Sequence, residues 1–119
     1  VVFQLGNVYY SLKNYDEAIR AYNDFLDRYS GHPLLPIVKQ SLGYAYEEKG
    51  LLQEAVKQFD EISADGNSFL VAQGNWDAGR CYEKLGQASD AIRSYTKVIE
   101  LSPNSNWATM SQYRLSVIR

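Results

Sequence analysis

The chain has one cysteine (Cys81), one histidine (His32), one methionine and three prolines in 119 residues. A single cysteine excludes an internal disulfide. One histidine and one cysteine cannot assemble the usual nitrogen and sulfur donor set of a metal site. His32 lies between Gly31 and Pro33 with no acidic residue within three positions, which predicts a solvent-exposed loop residue. Glu47 and Glu48 are adjacent on a predicted helix, so they diverge and read as a solvated face rather than a carboxylate site. No basic run occurs, and the formal net charge is −2, which disfavours nucleic acid as a partner. No apolar run approaches the roughly 20 residues of a membrane span. A nucleophile elbow, phosphate loop and dinucleotide fingerprint are all missing; Gly74 and Gly79 stand inside a helical pattern, not after a strand. The sequence therefore offers no constellation for an enzyme and implies no cofactor.

What is plentiful is aromatic and periodic. There are ten tyrosines, and 45% of residues are hydrophobic. In the stretch 79–103, Gly79, Tyr82 and Gly86 mark the end of one helix. Ala91, Tyr95 and Val98 then follow at i, i+4 and i+7 on a second, and Pro103 stops it. Gly86 suits the left-handed residue that ends a helix, and Gln87 with Asp90 forms a weak capping arrangement. The same hairpin recurs. Leu42, Gly43 and Tyr46 precede Gly50, Ala55, Phe59 and Ile62; Leu5, Gly6 and Tyr9 precede Ala18, Tyr22 and Phe25. Gly6 to Gly43 is 37 residues, Gly43 to Gly79 is 36, and a further 37 reaches Ser116. A fixed period of this length is the mark of a stacked repeat. Cys81 falls where the other copies have Val8 and Ala45, so a buried packing role is expected for it.

Seven helices follow, near 1–12, 14–29, 35–49, 53–63, 69–85, 88–101 and 106 onward. Asn14 with Glu17 would cap the second, and Asn67 or Ser68 the fifth. The repeat units are placed at about 1–33, 34–67 and 68–104, with a partial fourth at 105–119, in one domain. Because the chain opens inside one helical pattern and closes inside another, it is expected to be a piece of a longer protein. Gly43 with Ala55, and Gly79 with Ala91, are expected to meet where paired helices cross. Gly43→Leu or Ala55→Leu would then cost about 1–3 kcal/mol by overpacking.

Through Leu42, Gly43, Tyr46, Ala55 and Phe59, and through Gly79, Tyr82, Ala91, Tyr95 and Pro103, the chain resembles the tetratricopeptide repeat family. The resemblance covers nearly the whole chain. It departs in the tryptophan often found early on the first helix, where Val2, Lys39 and Asn75 stand, and in having Lys13 at the place of Gly50 and Gly86. It implies an all-α fold, a right-handed superhelix of stacked helical hairpins. Its function would be a non-enzymatic scaffold that holds a peptide or partner protein in a concave groove. The groove positions carried over by register are Phe3, Asn7, Tyr10, Gln40, Tyr44, Glu47, Gln73, Trp76, Arg80, Glu83 and Tyr113. Trp76 and Arg80 are expected to face the groove; Phe3 and Tyr44 face either the groove or a neighbouring hairpin. The clamp by which some members hold chaperone C-terminal carboxylates needs Lys or Arg, with Asn, at places here held by Phe3, Asn7, Ser41, Gln73 and Asp77, and only Asn7 fits. The alternative is a structural or assembly module that stacks on the rest of its chain or self-associates through the terminal helix. There Trp107, Met110, Tyr113, Leu115 and Ile118 form an apolar face. The spacing and the linkers resemble the subgroup in bacterial cell-envelope proteins, which favours a periplasmic or envelope location.

Overall fold

The computed structural model describes residues 2–65 and 70–118. Among the described residues seven α-helices follow in order: α1 (Val2–Ser11), α2 (Tyr15–Arg28), α3 (Leu35–Glu48), α4 (Leu52–Ala64), α5 (Val71–Lys84), α6 (Ala88–Leu101) and α7 (Asn106–Ile118). The fold is all-α, and no strand occurs among the described residues. The helices pair as antiparallel hairpins, α1 with α2, α3 with α4 and α5 with α6, and each hairpin stacks on the next. The stack measures 42 × 29 × 19 Å.

Local chemistry sets the hairpin turns. Gly50 and Gly86 adopt φ of 78° and 76°, the left-handed region that costs glycine nothing. Lys13 takes the matching place in the first hairpin at φ 62°, so the turn geometry is kept without its usual residue. Asn14 accepts the Glu17 backbone N–H at 3.5 Å. Gln87, by contrast, makes no side-chain cap to α6; Asp90 bonds Arg93 instead. The suggested caps Asn67 and Ser68 lie outside the described residues.

The core is a strip running between the hairpins. Ala18, Tyr22, Phe25, Val38, Leu42 and Ala45 fill the first section, and Ala55, Val56, Phe59, Ile62, Ala78 and Cys81 the next. Ala91, Tyr95 and Leu115 close the third. Cys81 is fully buried, and burial pushes its thiol up to about 12, so it is an inert packing residue.

The contact between paired helices differs from the expected one. The close neighbour of each motif glycine is an aromatic ring, not the alanine. A Cβ on Gly6 would sit 2.5 Å from Tyr22 Cε1, on Gly43 2.6 Å from Phe59 Cε1, and on Gly79 2.6 Å from Tyr95 Cε1. Ala18, Ala55 and Ala91 are fully buried one turn before those rings. The ring needs a flat backbone surface to lie on, and only glycine leaves one.

His32 also departs from expectation. It is half-buried, its ring edge-on to Phe25 at 5.3 Å and to Tyr29 at 6.1 Å, and its Nδ1 accepts the Leu34 N–H at 3.1 Å. It pins the linker between the first two hairpins.

Candidate functional site

Helices α1, α3, α5 and α7 are the first helices of successive hairpins. Within the described residues α1 approaches α3 and α5 approaches α7, and no two second helices come as near. The first helices therefore line one side of the stack, and the register of the repeat delivers the candidate residues to it.

Four of those residues are joined directly. The Tyr44 hydroxyl donates to Asp77 Oδ2 at 2.8 Å, and Gln73 Nε2 donates to the Tyr44 oxygen at 3.3 Å. Arg80 donates to both Glu47 oxygens, at 2.6 and 3.0 Å, and to Asp77 Oδ1 at 2.7 Å. Lys84 Nζ adds a third bond to Glu47 at 2.7 Å. Arg80 also lies 5.9 Å from the Tyr44 ring centre. The network locks α3 to α5. Charge-assisted, two-pronged bonds of this kind orient as well as attract.

A second knot continues it. Glu83 takes Arg114 from α7 at 2.9 and 2.5 Å, and accepts the Tyr95 hydroxyl at 2.6 Å. The Arg114 hydrogen bond brings the Glu83 carboxyl below its ordinary value. Burial pushes Glu47 up, but its bonds from Arg80 and Lys84 outweigh that and leave it lowered. Asp77, only 2% exposed, is raised, chiefly by burial, against the pull of Arg80. Both Arg80 and Tyr44 are raised. Burial works against the Arg80 charge, and bonds to Glu47 and Asp77 overcome it. For Tyr44, burial and the neighbouring Asp77 act together.

The remaining candidates divide. Phe3 packs on Tyr22 and Phe25, with ring centres 6.2 and 6.0 Å apart; Tyr44 also packs on Phe59 at 5.4 Å. Trp76 is half-buried, tilted against Tyr95 at 5.3 Å, so much of its ring is engaged within its own hairpin. Asn7 Oδ1 accepts the Tyr22 hydroxyl at 2.7 Å while the residue itself stays exposed. Tyr10 is half-buried and edge-on to Tyr15. Gln40 keeps a buried Nε2 without a hydrogen-bond partner, and Tyr113 is 65% exposed. Between α1 and α3 a recess of about 240 Å³ opens, lined by Asn7, Tyr10, Ser11, Tyr22, Ser41 and Tyr44. Every one of those side chains is polar and uncharged.

Asp77, Lys84 and Arg114 belong to these networks and were not in the sequence-derived set. Asp77 stands three residues before Arg80, a spacing that pairs on a helix, so it could have been found. Arg114 lies 31 residues from Glu83, and only the stacking of α7 on the third hairpin brings them together. Among the described residues no group of three or more His, Cys, Asp or Glu could hold a metal ion, and no helix is long and apolar enough to cross a membrane.

Stacked hairpins with a pre-ordered face of aromatic and polar side chains define a helical-repeat module for protein interaction. Residues 3–69 and 70–105 each match a tetratricopeptide repeat family profile, and the chain belongs to the tetratricopeptide repeat family. It is 28% identical to the RNA polymerase II-associated protein 3 of Homo sapiens over 123 residues and to that of Rattus norvegicus over 116, covering 98% and 92% of this chain. The chain spans only 17% and 16% of the length of those two relatives. The first TPR of Spaghetti (RPAP3), solved bound to the HSP90 peptide SRMEEVD, superposes with a TM-score of 0.76 at 25% identity, over 97% of this chain and 87% of that one. PcrH, solved with the chaperone-binding region of PopD, shares the fold with a TM-score of 0.81 at 16% identity, over 98% and 87%.

Proposed function

We propose that the first-helix face is the concave groove of this module and holds a peptide or a segment of a partner protein. The observation that carries this is the neutral recess between α1 and α3, set beside charges that are already spent. Lys39, Arg80, Lys84 and Arg114 are the cations on the described first helices, and each is in an ion pair. The related Spaghetti domain was solved with a peptide ending in EEVD. On the described first helices no unpaired cation stands ready for such an acidic end, and only Asn7 matches the clamp pattern. The groove instead offers hydroxyls, amides and aromatic edges, which suit the backbone and uncharged side chains of an extended segment.

Anisotropy titrations with a set of labelled peptides that includes SRMEEVD test this. Uncharged peptides are expected to bind best, and Tyr10→Ala is expected to weaken them about tenfold, as loss of an aromatic anchor does. Preference for SRMEEVD, or full affinity in Tyr10→Ala, would remove the recess as the site.

A second reading, assembly through the terminal helix, draws on the exposure of Leu101, Tyr113 and Val117 (56, 65 and 53%). Sedimentation at several protein concentrations separates the two.

A further inference from the structure

Arg80 and Lys84 stand one turn apart on α5, so their side chains leave the helix on one side. Three N–H groups from this pair converge on one carboxylate, Glu47 of α3, at 2.6, 2.7 and 3.0 Å. Arg80 offers its Nε and Nη2 edge as a two-pronged fork, and Lys84 closes the third side. A cation pair arranged in this way holds a carboxylate whatever chain supplies it. Here the chain supplies its own.

Stacking does not require this bridge. In the first repeat Tyr10 stands at the place of Glu47, 37 residues earlier, and in the second Tyr44 stands at the place of Arg80, 36 residues earlier. Those two places carry no charge, yet α1 still approaches α3. Where the bridge is missing, the surface opens into the recess lined by Tyr10 and Tyr44. One repeat on, Glu47 and its two cations fill the equivalent place. Nor does Arg80 need Glu47 to hold its position. Its Nη1 donates to Asp77 at 2.7 Å, and Asp77 accepts the Tyr44 hydroxyl at 2.8 Å. Arg80 is thus anchored on a buried carboxylate, while Lys84 is half exposed and within reach of a ligand.

We propose that Glu47 is the specificity-determining residue of the groove: its carboxylate takes the place between Arg80 and Lys84 that an acidic side chain or chain end of a bound segment would occupy, and so turns acidic segments away. The proposal rests on the groove reading and names what the groove rejects. Tyr44 joins the two places, since it lines the recess and its ring centre lies 5.9 Å from the Arg80 guanidinium. A segment seated in the recess therefore meets the fork next. The charges of Arg80, Lys84, Glu47 and Asp77 cancel, and an incoming carboxylate must displace one already held by three bonds. With glutamine at position 47 the fork keeps its shape and gains a positive charge. Glu48 carries the same charge one residue on and takes no part in the fork.

The probes are two labelled peptides of equal length, SRMEEVD and SRMQQVN with an amidated end, followed by anisotropy at one ionic strength. The parent is expected to favour SRMQQVN. In Glu47→Gln, SRMEEVD is expected to gain about tenfold or more, and the order to reverse. Glu48→Gln removes an equal charge and is expected to keep the parent's order. Lys84→Met added to Glu47→Gln is expected to abolish the gain. Circular dichroism checks that each variant is folded. If Glu47→Gln is too loose to titrate, the rise in its melting temperature with each peptide gives the same comparison, because a ligand of the folded state stabilises it. The proposal is overturned if SRMEEVD gains nothing in Glu47→Gln, as a purely structural tie between α3 and α5 requires. It is also overturned if Glu48→Gln gives an equal gain, as a general charge effect requires. Failure of the recess reading shows separately, as a parent chain that does not bind SRMQQVN; the gain of SRMEEVD in Glu47→Gln decides the role of Glu47 in either case.

Discussion

At the scale of single residues, the unit of this fold is a glycine under a ring. Replacing an unstrained helix glycine by alanine ordinarily stabilises by about 0.5–1 kcal/mol, through the unfolded chain's lost freedom. At Gly43 the opposite is expected, since the new methyl would lie 2.6 Å from Phe59 Cε1 and 2.7 Å from its Cζ. Gly43→Ala should cost about 1–3 kcal/mol net in urea melts. Phe59→Leu alone also destabilises by opening a cavity, but the two changes together should cost less than their sum by about 1 kcal/mol or more. Additive losses would mean that the ring does not set the glycine. This contact was half legible in the sequence. The 36–37-residue recurrence of glycine and aromatic was plain, but which small residue the ring covers depends on the crossing of two helices, and no one-dimensional spacing records that. His32 shows the same limit: its Gly-Pro surroundings read as an exposed loop, while the rings that hold it, Phe25 and Tyr29, stand on the preceding turn and its end.

Between elements, α3, α5 and α7 are tied by charge, and α2 and α4 to their successors by hydroxyls. Asn23 Nδ2 donates to the Tyr46 oxygen at 3.4 Å, and one repeat later the Tyr82 hydroxyl donates to Asp60 at 2.6 Å, the equivalent positions with donor and acceptor exchanged. Arg80 is the hub of the charged side. Arg80→Ala would leave Asp77 with Tyr44 alone and Glu47 with Lys84 alone, inside a mostly buried pocket. A loss on the order of 2–4 kcal/mol is expected in denaturant melts. Such a variant therefore tests stability before it tests peptide binding. The carboxylates also give the fold a pH dependence with opposing signs. Glu47 and Glu83 are lowered, so the stability they supply is present above the unfolded-state value and lost as pH falls through the folded one. Asp60 and Asp77 are raised, chiefly by burial, so their contribution is present below the unfolded-state value and lost as pH rises through the folded one. Glu83→Gln isolates one sign. Its melting temperature should lie below that of the parent at pH 7, and the gap should close as pH falls through the lowered folded-state value of the parent's Glu83. A gap of constant size would show that Glu83 contributes nothing through its charge. Helix boundaries were legible to within a residue or two, because the turn residues and the apolar period agree. The Glu83–Arg114 tie was not, because its partners come together only when α7 stacks.

For the whole molecule, a one-dimensional stack divides its stability unevenly. Each hairpin is held by its neighbours, so an interior helix is covered from both sides and a terminal one from a single side. Helix α5 packs on both α4 and α6, and its Gly74, Asn75, Asp77, Ala78, Gly79 and Cys81 are buried. Helix α1 packs chiefly on α2 and leaves Leu5 and Val8 exposed at 47 and 53%. Helix α7 packs on α6, touches α5, and has only Ala108, Ser111 and Leu115 buried. Such helices open locally at a free energy below that of global unfolding. Hydrogen exchange followed by mass spectrometry should therefore show a gradient. Amides of α3 to α6 should exchange slowest and together, and those of α1 and α7 sooner. At α7 the Arg114–Glu83 bond opposes the fraying, so Glu83→Gln should speed exchange in α7 while leaving α1 unchanged. Uniform exchange across all seven helices would instead mean that the chain opens as one cooperative block, with its ends held as firmly as its middle.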